Sequence, residues 1–184
     1  MNRHDKLKFI RNIGCYSRVA NQEHIVTISM SEDSLINILD KYADLKNKKQ
    51  MKNRVFLGGT VANSTWRDQM IEKLKIDYFN PVVDDWTEEM VKIEDDEKSN
   101  KCNIHYYCIT NEMKGVYSIA EMVDSSHNKD KICICQIIPD GFDEHQLKSL
   151  KQVSKIINNT GSTCIIDSNL NHSIDALNKF KHIG

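Results

Sequence analysis

Three short stretches of the 184-residue chain hold residue types that could do chemistry. In Gly58-Gly59-Thr60, two glycines after an apolar run would let a ligand approach the backbone closely. In Asp84-Asp85-Trp86, two carboxyl groups beside an indole could hold ribose hydroxyls or exchange protons with a base. In Ser118-Ile-Ala-Glu121, a carboxylate falls in the first turn of an expected helix, where the helix dipole favours its ionised form. A carboxylate placed there could act as a nucleophile.

Each stretch also has a purely structural interpretation. Gly58-Gly59-Thr60 could be a plain tight turn, and it has neither the dinucleotide-binding nor the P-loop pattern. Asp85 or Thr87 could cap the helix that follows, and Ser118 with Glu121 has the S-x-x-E spacing of a capping box. The other acids of the helix that begins near Thr87 are expected to form an exposed face: Glu88, Glu89, Glu94, Asp95, Asp96 and Glu97.

Short apolar runs alternate with longer amphipathic ones from Arg54 onward. Strands are predicted at 54–57, 77–83, 103–109, 131–138 and 162–166, and helices at about 64–74, 87–100, 118–128, 143–159 and 173–182. This alternation predicts an α/β, flavodoxin-like doubly wound parallel sheet of five strands in the order 2-1-3-4-5. Ligands of such sheets bind beyond the carboxyl ends of strands 1 and 3, where the three stretches would meet.

Residues 1–53 have a different pattern and are predicted to be a small N-terminal extension of unknown role. Within it, 24–30 could be a strand and 31–45 a helix, followed by a lysine-rich linker at 46–52. Residues 54–184 are predicted to form the main domain.

The composition favours a soluble, cytoplasmic protein with no duplex nucleic acid or membrane as partner. Lys and Arg number 25 against 26 for Asp and Glu, whereas a duplex-binding protein needs a clear basic excess. No apolar run approaches the roughly 18 residues of a membrane span, and the first residues lack the apolar core of a signal peptide. The abundance of Lys, Asn and Ile, whose codons are AT-rich, favours a phage or low-GC bacterium as the source.

The cysteines and two of the histidines are interpreted as structural. None of the six cysteines has C-x2-C spacing, and most lie in apolar runs, which predicts free thiols in a reducing compartment. Cys133 and Cys135 are expected to share one face of a strand. His105 is interpreted as a hydrogen-bonded core residue, and His127 as a cation near the end of a helix.

The motifs at the three expected loops resemble those of a known family. VFLGGT with its following tryptophan (Val55–Trp66), YFNPVVDDW (Tyr78–Trp86) and ITNEMKGVYSIAEMVDSSHN (Ile109–Asn128) are similar to the nucleoside 2-deoxyribosyltransferase-like family, in its FLGGT / NPVVDDW / GVYSIAE branch. The resemblance covers about residues 53–167. It implies a flavodoxin-like fold, a nucleoside deoxyribosyltransferase-like domain at 54–184, and assembly as a homo-oligomer.

The resemblance also implies a reaction and a set of roles. The family's nucleophile is a glutamate that matches Glu121, and double displacement at C1′ of a (deoxy)nucleoside would form a covalent glycosyl-glutamate. Asp84 or Asp85 would protonate the departing base. Further contacts to the small-molecule substrate are expected from Gly58, Gly59, Thr60, Trp86, Tyr117 and Asp124. No metal or organic cofactor is implied.

Two alternatives would use the same pocket. A nucleoside or nucleotide N-glycosidase would employ Glu121 with water as the acceptor, and for a phosphate group Arg67 and Lys114 are the nearby cations. A non-catalytic nucleotide-binding module would keep the pocket without turnover, although a binder needs no nucleophile beside paired acids. N-glycosyl transfer is the leading interpretation.

Overall fold

The computed structural model describes residues 52–83, 85 and 87–181. They contain five parallel strands in the order β2-β1-β3-β4-β5, which confirms the predicted flavodoxin-like α/β sheet. The strands are β1 (Arg54–Gly59), β2 (Asp77–Phe79), β3 (Ile104–Ile109), β4 (Ile132–Ile137) and β5 (Thr163–Ile166). The elements expected at 24–30 and 31–45 lie outside the described residues.

Helices separate the strands, as the alternating pattern predicts. They are α1 (Trp66–Ile71), α2 (Glu88–Asp96), α3 (Tyr117–His127), α4 (Glu144–Asn159) and α5 (Asn171–Asn178), and a π-helical turn, Glu97–Lys101, continues α2. β2 is shorter than predicted and ends two residues before Pro81, which has no backbone N–H to donate. Within the described residues, no helix combines the length and the apolar character that a membrane crossing requires.

Two apolar layers cover the two faces of the sheet. Because side chains alternate along a strand, Val55 and Leu57 face α1 and α5, whereas Phe56 faces α3 and α4. Cys133 and Cys135 point into the second layer with their Sγ atoms 3.6 Å apart, which confirms that they share a strand face. The five cysteines that the structure describes are buried free thiols.

The two glycines that were expected in a turn are instead the last residues of β1. Gly58 pairs with Tyr107 of β3, and Gly59 pairs with Cys108. A Cβ on Gly58 would overlap the Tyr107 ring, and one on Gly59 would overlap the backbone carbonyl of Cys108. Gly59 also has φ of 114°, a left-handed value that other residues rarely adopt. The glycines are therefore required by close packing of β1 on β3.

Replacing Gly59 with alanine should destabilise the protein strongly, because the new Cβ meets backbone atoms that cannot move aside. We expect the free energy of unfolding to fall by about 2–4 kcal/mol, measured by urea denaturation. Gly115→Ala is the matched control, since a Cβ at Gly115 has nothing within 4 Å. Equal stability of the two variants would contradict this account of the β1–β3 contact.

Candidate functional site

Two adjoining cavities lie at the carboxyl ends of β1 and β3, the place that the strand order predicts. The first has a volume of about 200 Å³ and lies between α2 and α3, with Glu94 and Glu121 in its wall and the β1 glycines at its side. The second has a volume of about 310 Å³ and lies over the start of α3, where Lys114 and Thr60 line it. Both are bounded by Tyr117, so a ligand could extend from one into the other.

Glu121 lies in the second turn of α3, and its side chain is only 15% exposed. Its Oε1 accepts a hydrogen bond of 2.5 Å from the Lys98 ammonium group. The predicted capping box is therefore wrong. The helix begins one residue earlier, at Tyr117, with Val116 as an N-cap that has no side-chain bond, so Ser118 is inside the helix and lines the cavities. The carboxylate of Glu121 is directed toward Lys98 instead.

Lys98 is held from several sides. Its ammonium nitrogen lies 5.7 Å from the centre of the Phe56 ring and 5.9 Å from that of Tyr107. Its backbone carbonyl oxygen forms hydrogen bonds with Nε2 of His105, at 2.9 Å, and with the Lys131 ammonium group, at 3.2 Å. These contacts fix the π-helical turn against β3 and β4 and so fix the cation beside Glu121.

A hydrogen-bonded group behind the site includes His105, which confirms its interpretation as a core residue. Ser125 of α3 joins Nδ1 of His105, at 3.1 Å, to the Tyr107 hydroxyl, at 2.9 Å. Burial lowers the pKa of His105 to about 4, against the smaller opposing effect of its bond to the Lys98 carbonyl. His105 is therefore neutral at pH 7 and acts as a fixed link between β3, α3 and the π-helical turn.

Glu94 was expected on an exposed helix face, and the structure corrects this. It lines the first cavity, where burial and, next, the negative charge of Glu121 raise its pKa above the usual range. Glu94 is half-buried, whereas Glu97 is buried, in ion pairs with Arg54 and Lys101. Glu94 thus faces the cavity between α2 and α3, whereas Glu97 is held beside β1 through Arg54.

The spacing of α2 could have indicated Glu94. Val91, Glu94 and Lys98 recur at helical intervals of three and four residues and so share a face, which the structure turns toward the cavity and Glu121. The signal in the sequence was therefore a helix face that combines an apolar residue with one acidic and one basic residue. It does not reveal which helix that face meets.

Arg67 was considered from the sequence as a contact for a phosphate group. In the structure it is buried, and its N–H groups donate hydrogen bonds to backbone carbonyls at the end of β1. Its guanidinium group donates to the carbonyl oxygens of Leu57, Gly59 and Thr60, at 3.2, 3.2 and 2.6 Å. It also lies 4.3 Å from the Trp66 ring centre, and burial lowers its pKa to about 10. Arg67 thus holds the loop that forms one wall of both cavities.

Not all the residues predicted for the site meet there. Thr60 is buried, and its hydroxyl oxygen accepts from the backbone N–H of Thr110 at 3.0 Å. Tyr117 is 74% exposed at the boundary of the two cavities. Asp85 and Asp124 are exposed and line neither cavity. Asp84 and Trp86 lie outside the described residues.

The start of α2 is capped as one of the two sequence interpretations predicts. The side chain of Thr87 accepts a hydrogen bond of 3.3 Å from the backbone N–H of Met90. Among the residues that the structure describes, no group of three or more His, Cys, Asp or Glu side chains could hold a metal ion.

Comparison with known proteins gives one family model that matches part of the chain. The model of the nucleoside 2-deoxyribosyltransferase-like family matches residues 52–137, from just before β1 to the end of β4. This confirms the resemblance predicted from the motifs, and the matched segment contains Glu94, Lys98 and Glu121. A search of curated proteins gave no match.

The buried, neutral His105 predicts how stability depends on pH. Between pH 6.5 and about 4 the unfolded chain binds a proton that folded His105 does not, so stability falls as the pH falls through this range. The slope contributed by this residue is at most about 1.4 kcal/mol per pH unit. Urea denaturation between pH 5 and 7 should show a shallower slope for His105→Gln.

His127→Gln is the matched control, because His127 is exposed near the end of the same helix that contacts His105. Its slope should equal that of the unmodified protein. An unchanged slope in His105→Gln would mean that other groups carry the pH dependence.

Proposed function

We propose that the protein transfers the sugar of a (deoxy)nucleoside from one base to another through a covalent glycosyl-Glu121. The observation that carries this proposal is that Glu121 and Glu94, whose pKa is raised, line one cavity at the sheet's switch point, within a segment that matches the family model. Residues 54–184 are proposed to be the catalytic domain, with residues 1–53 as an extension.

The first step breaks the bond between C1′ and the base. A carboxylate oxygen of Glu121 attacks C1′ from the face opposite the base, and the electron pair of the C1′–N bond passes to the base. A base leaves poorly as an anion, so a proton must reach a ring nitrogen. Glu94 is proposed to supply it, since burial and the charge of Glu121 favour its protonated form.

The second step reverses the roles. Once Glu121 is an ester it carries no charge, so its charge no longer raises the pKa of Glu94, and that pKa falls. Glu94 is then suited to accept the proton that an incoming base, or water, loses as it bonds to C1′. The C1′–O bond breaks, and its electron pair returns to Glu121. Glu94 thus acts first as the acid and then as the base, while Glu121 forms and releases the covalent bond.

The remaining predicted contacts complete the proposal. The β1 glycines leave room for the sugar beside Glu121, and the exposed Tyr117 ring could stack on a base. Asp84 or Asp85, which the resemblance implies would protonate the departing base, stays a proposed alternative to Glu94 in that role, and Trp86 and Asp124 stay proposed substrate contacts. A homo-oligomer is proposed as the assembly in which an open cavity of this kind would be enclosed.

The direct test is incubation with 2′-deoxyinosine and free adenine, followed by chromatography and mass spectrometry. New 2′-deoxyadenosine, absent with Glu121→Gln, would support transfer through Glu121. Free hypoxanthine without exchange would assign the chemistry to hydrolysis. No turnover of nucleosides or their monophosphates would contradict the enzymatic proposal and favour a binding module.

Glu94→Gln should lower kcat/KM for 2′-deoxyinosine by roughly 10²–10⁴-fold, the usual effect of losing a general acid. The effect should be much smaller with N7-methyl-2′-deoxyguanosine, whose base is already cationic and leaves without protonation. Steady-state kinetics on both substrates make the comparison.

Glu89→Gln is the control, because Glu89 is an exposed acid of the same helix. It should behave as the unmodified protein with both substrates. An equal loss on both substrates in Glu94→Gln would remove Glu94 from the acid role and leave the proposed nucleophile untouched.

A further inference from the structure

The nucleophile candidate shares its environment with a cation that the reaction scheme above does not use. Lys98 Nζ lies 2.5 Å from Oε1 of Glu121, and the two side chains are only 19% and 15% exposed. Glu94 also faces this lysine closely enough for their charges to interact. Ion pairs so shielded from water are stronger than exposed ones, and truncating one partner has a large effect.

The lysine cannot easily follow its partner if Glu121 changes state. Phe56 and Tyr107 flank its ammonium group, and bonds from His105 and Lys131 hold its backbone carbonyl. These contacts do not involve Glu121, so the position of the cation does not depend on the ion pair alone.

We propose that Lys98 is a positioning residue whose charge sets the balance between free and glycosylated Glu121, an inference that rests on the proposed function. Free Glu121 carries a full negative charge beside the ammonium group, whereas a glycosyl ester of Glu121 carries none. The ion pair therefore stabilises the free enzyme relative to the covalent intermediate. It also stabilises the negative charge that develops on Glu121 as the intermediate breaks down.

The electron balance of the second step explains why this favours turnover. A lone pair of the incoming nitrogen or water oxygen forms the new bond to C1′, and the C1′–O bond to Glu121 breaks. Its electron pair becomes the carboxylate charge next to Lys98 Nζ. The same contact engages Oε1, so Oε2 is the oxygen that we expect to attack C1′ in the first step.

The test compares Lys98→Met with the charge-retaining Lys98→Arg. Each is incubated with 2′-deoxyinosine, quenched in acid, and examined by intact-protein mass spectrometry for a deoxyribosyl adduct during titration with free adenine. Lys98→Met should hold a larger fraction of adduct and need about ten-fold more adenine to discharge half of it. Because release becomes slower, kcat and KM should fall together. Lys98→Arg should lie near the unmodified protein.

Lys92→Met is the matched control, since Lys92 is exposed on α2. A role limited to folding would not raise the adduct, so an adduct level in Lys98→Met equal to or below that of Lys92→Met would overturn the inference. If the unmodified protein turns over the nucleoside but Lys98→Met holds no more adduct than Lys92→Met, only the role of Lys98 fails. If the unmodified protein forms neither adduct nor product, the proposed function itself fails.

Discussion

The close contact between the end of β1 and β3 is the constraint on which the site depends. Gly58 and Gly59 pair with Tyr107 and Cys108 where a side chain on either glycine would overlap its neighbour. At this end of β1, the carbonyl oxygens of Leu57, Gly59 and Thr60 accept hydrogen bonds from the buried guanidinium group of Arg67. Backbone without side chains, at Gly58 and Gly59, therefore lines one side of the first cavity, and α2 and α3 place charged side chains on the other side.

The three charged side chains Lys98, Glu121 and Glu94 interact with one another electrostatically. Lys98 neutralises Glu121, and Glu121 in turn helps to raise the pKa of Glu94. Any chemistry that removes the charge of Glu121 changes both neighbours at once, because Lys98 loses its partner and Glu94 loses a repulsive charge. The proposed role of Glu94, first as an acid and then as a base, depends on this coupling.

Behind these groups, neutral hydrogen bonds provide rigidity without adding charge. His105 is held neutral by burial and joins the Lys98 carbonyl to Ser125 of the helix that carries Glu121. The π-helical turn and α3, which come directly before and after β3 in the sequence, are thereby both fixed to that strand. A charged histidine at this place would repel the Lys98 ammonium group.

The sequence by itself determined the sheet, its strand order and the location of the cavity, because alternating strands and helices leave few ways to bury both faces. It also directed attention to Glu121, which lines the cavity, and to Gly58 and Gly59, although it predicted a turn where the structure has the end of β1. Only the tertiary structure decided that Ser118 is not a cap, that Glu94 faces the cavity, and that Lys98 pairs with a glutamate 23 residues away. Local spacing specifies which residues share a helix face, but ion pairs and desolvation depend on which face of another helix that surface meets.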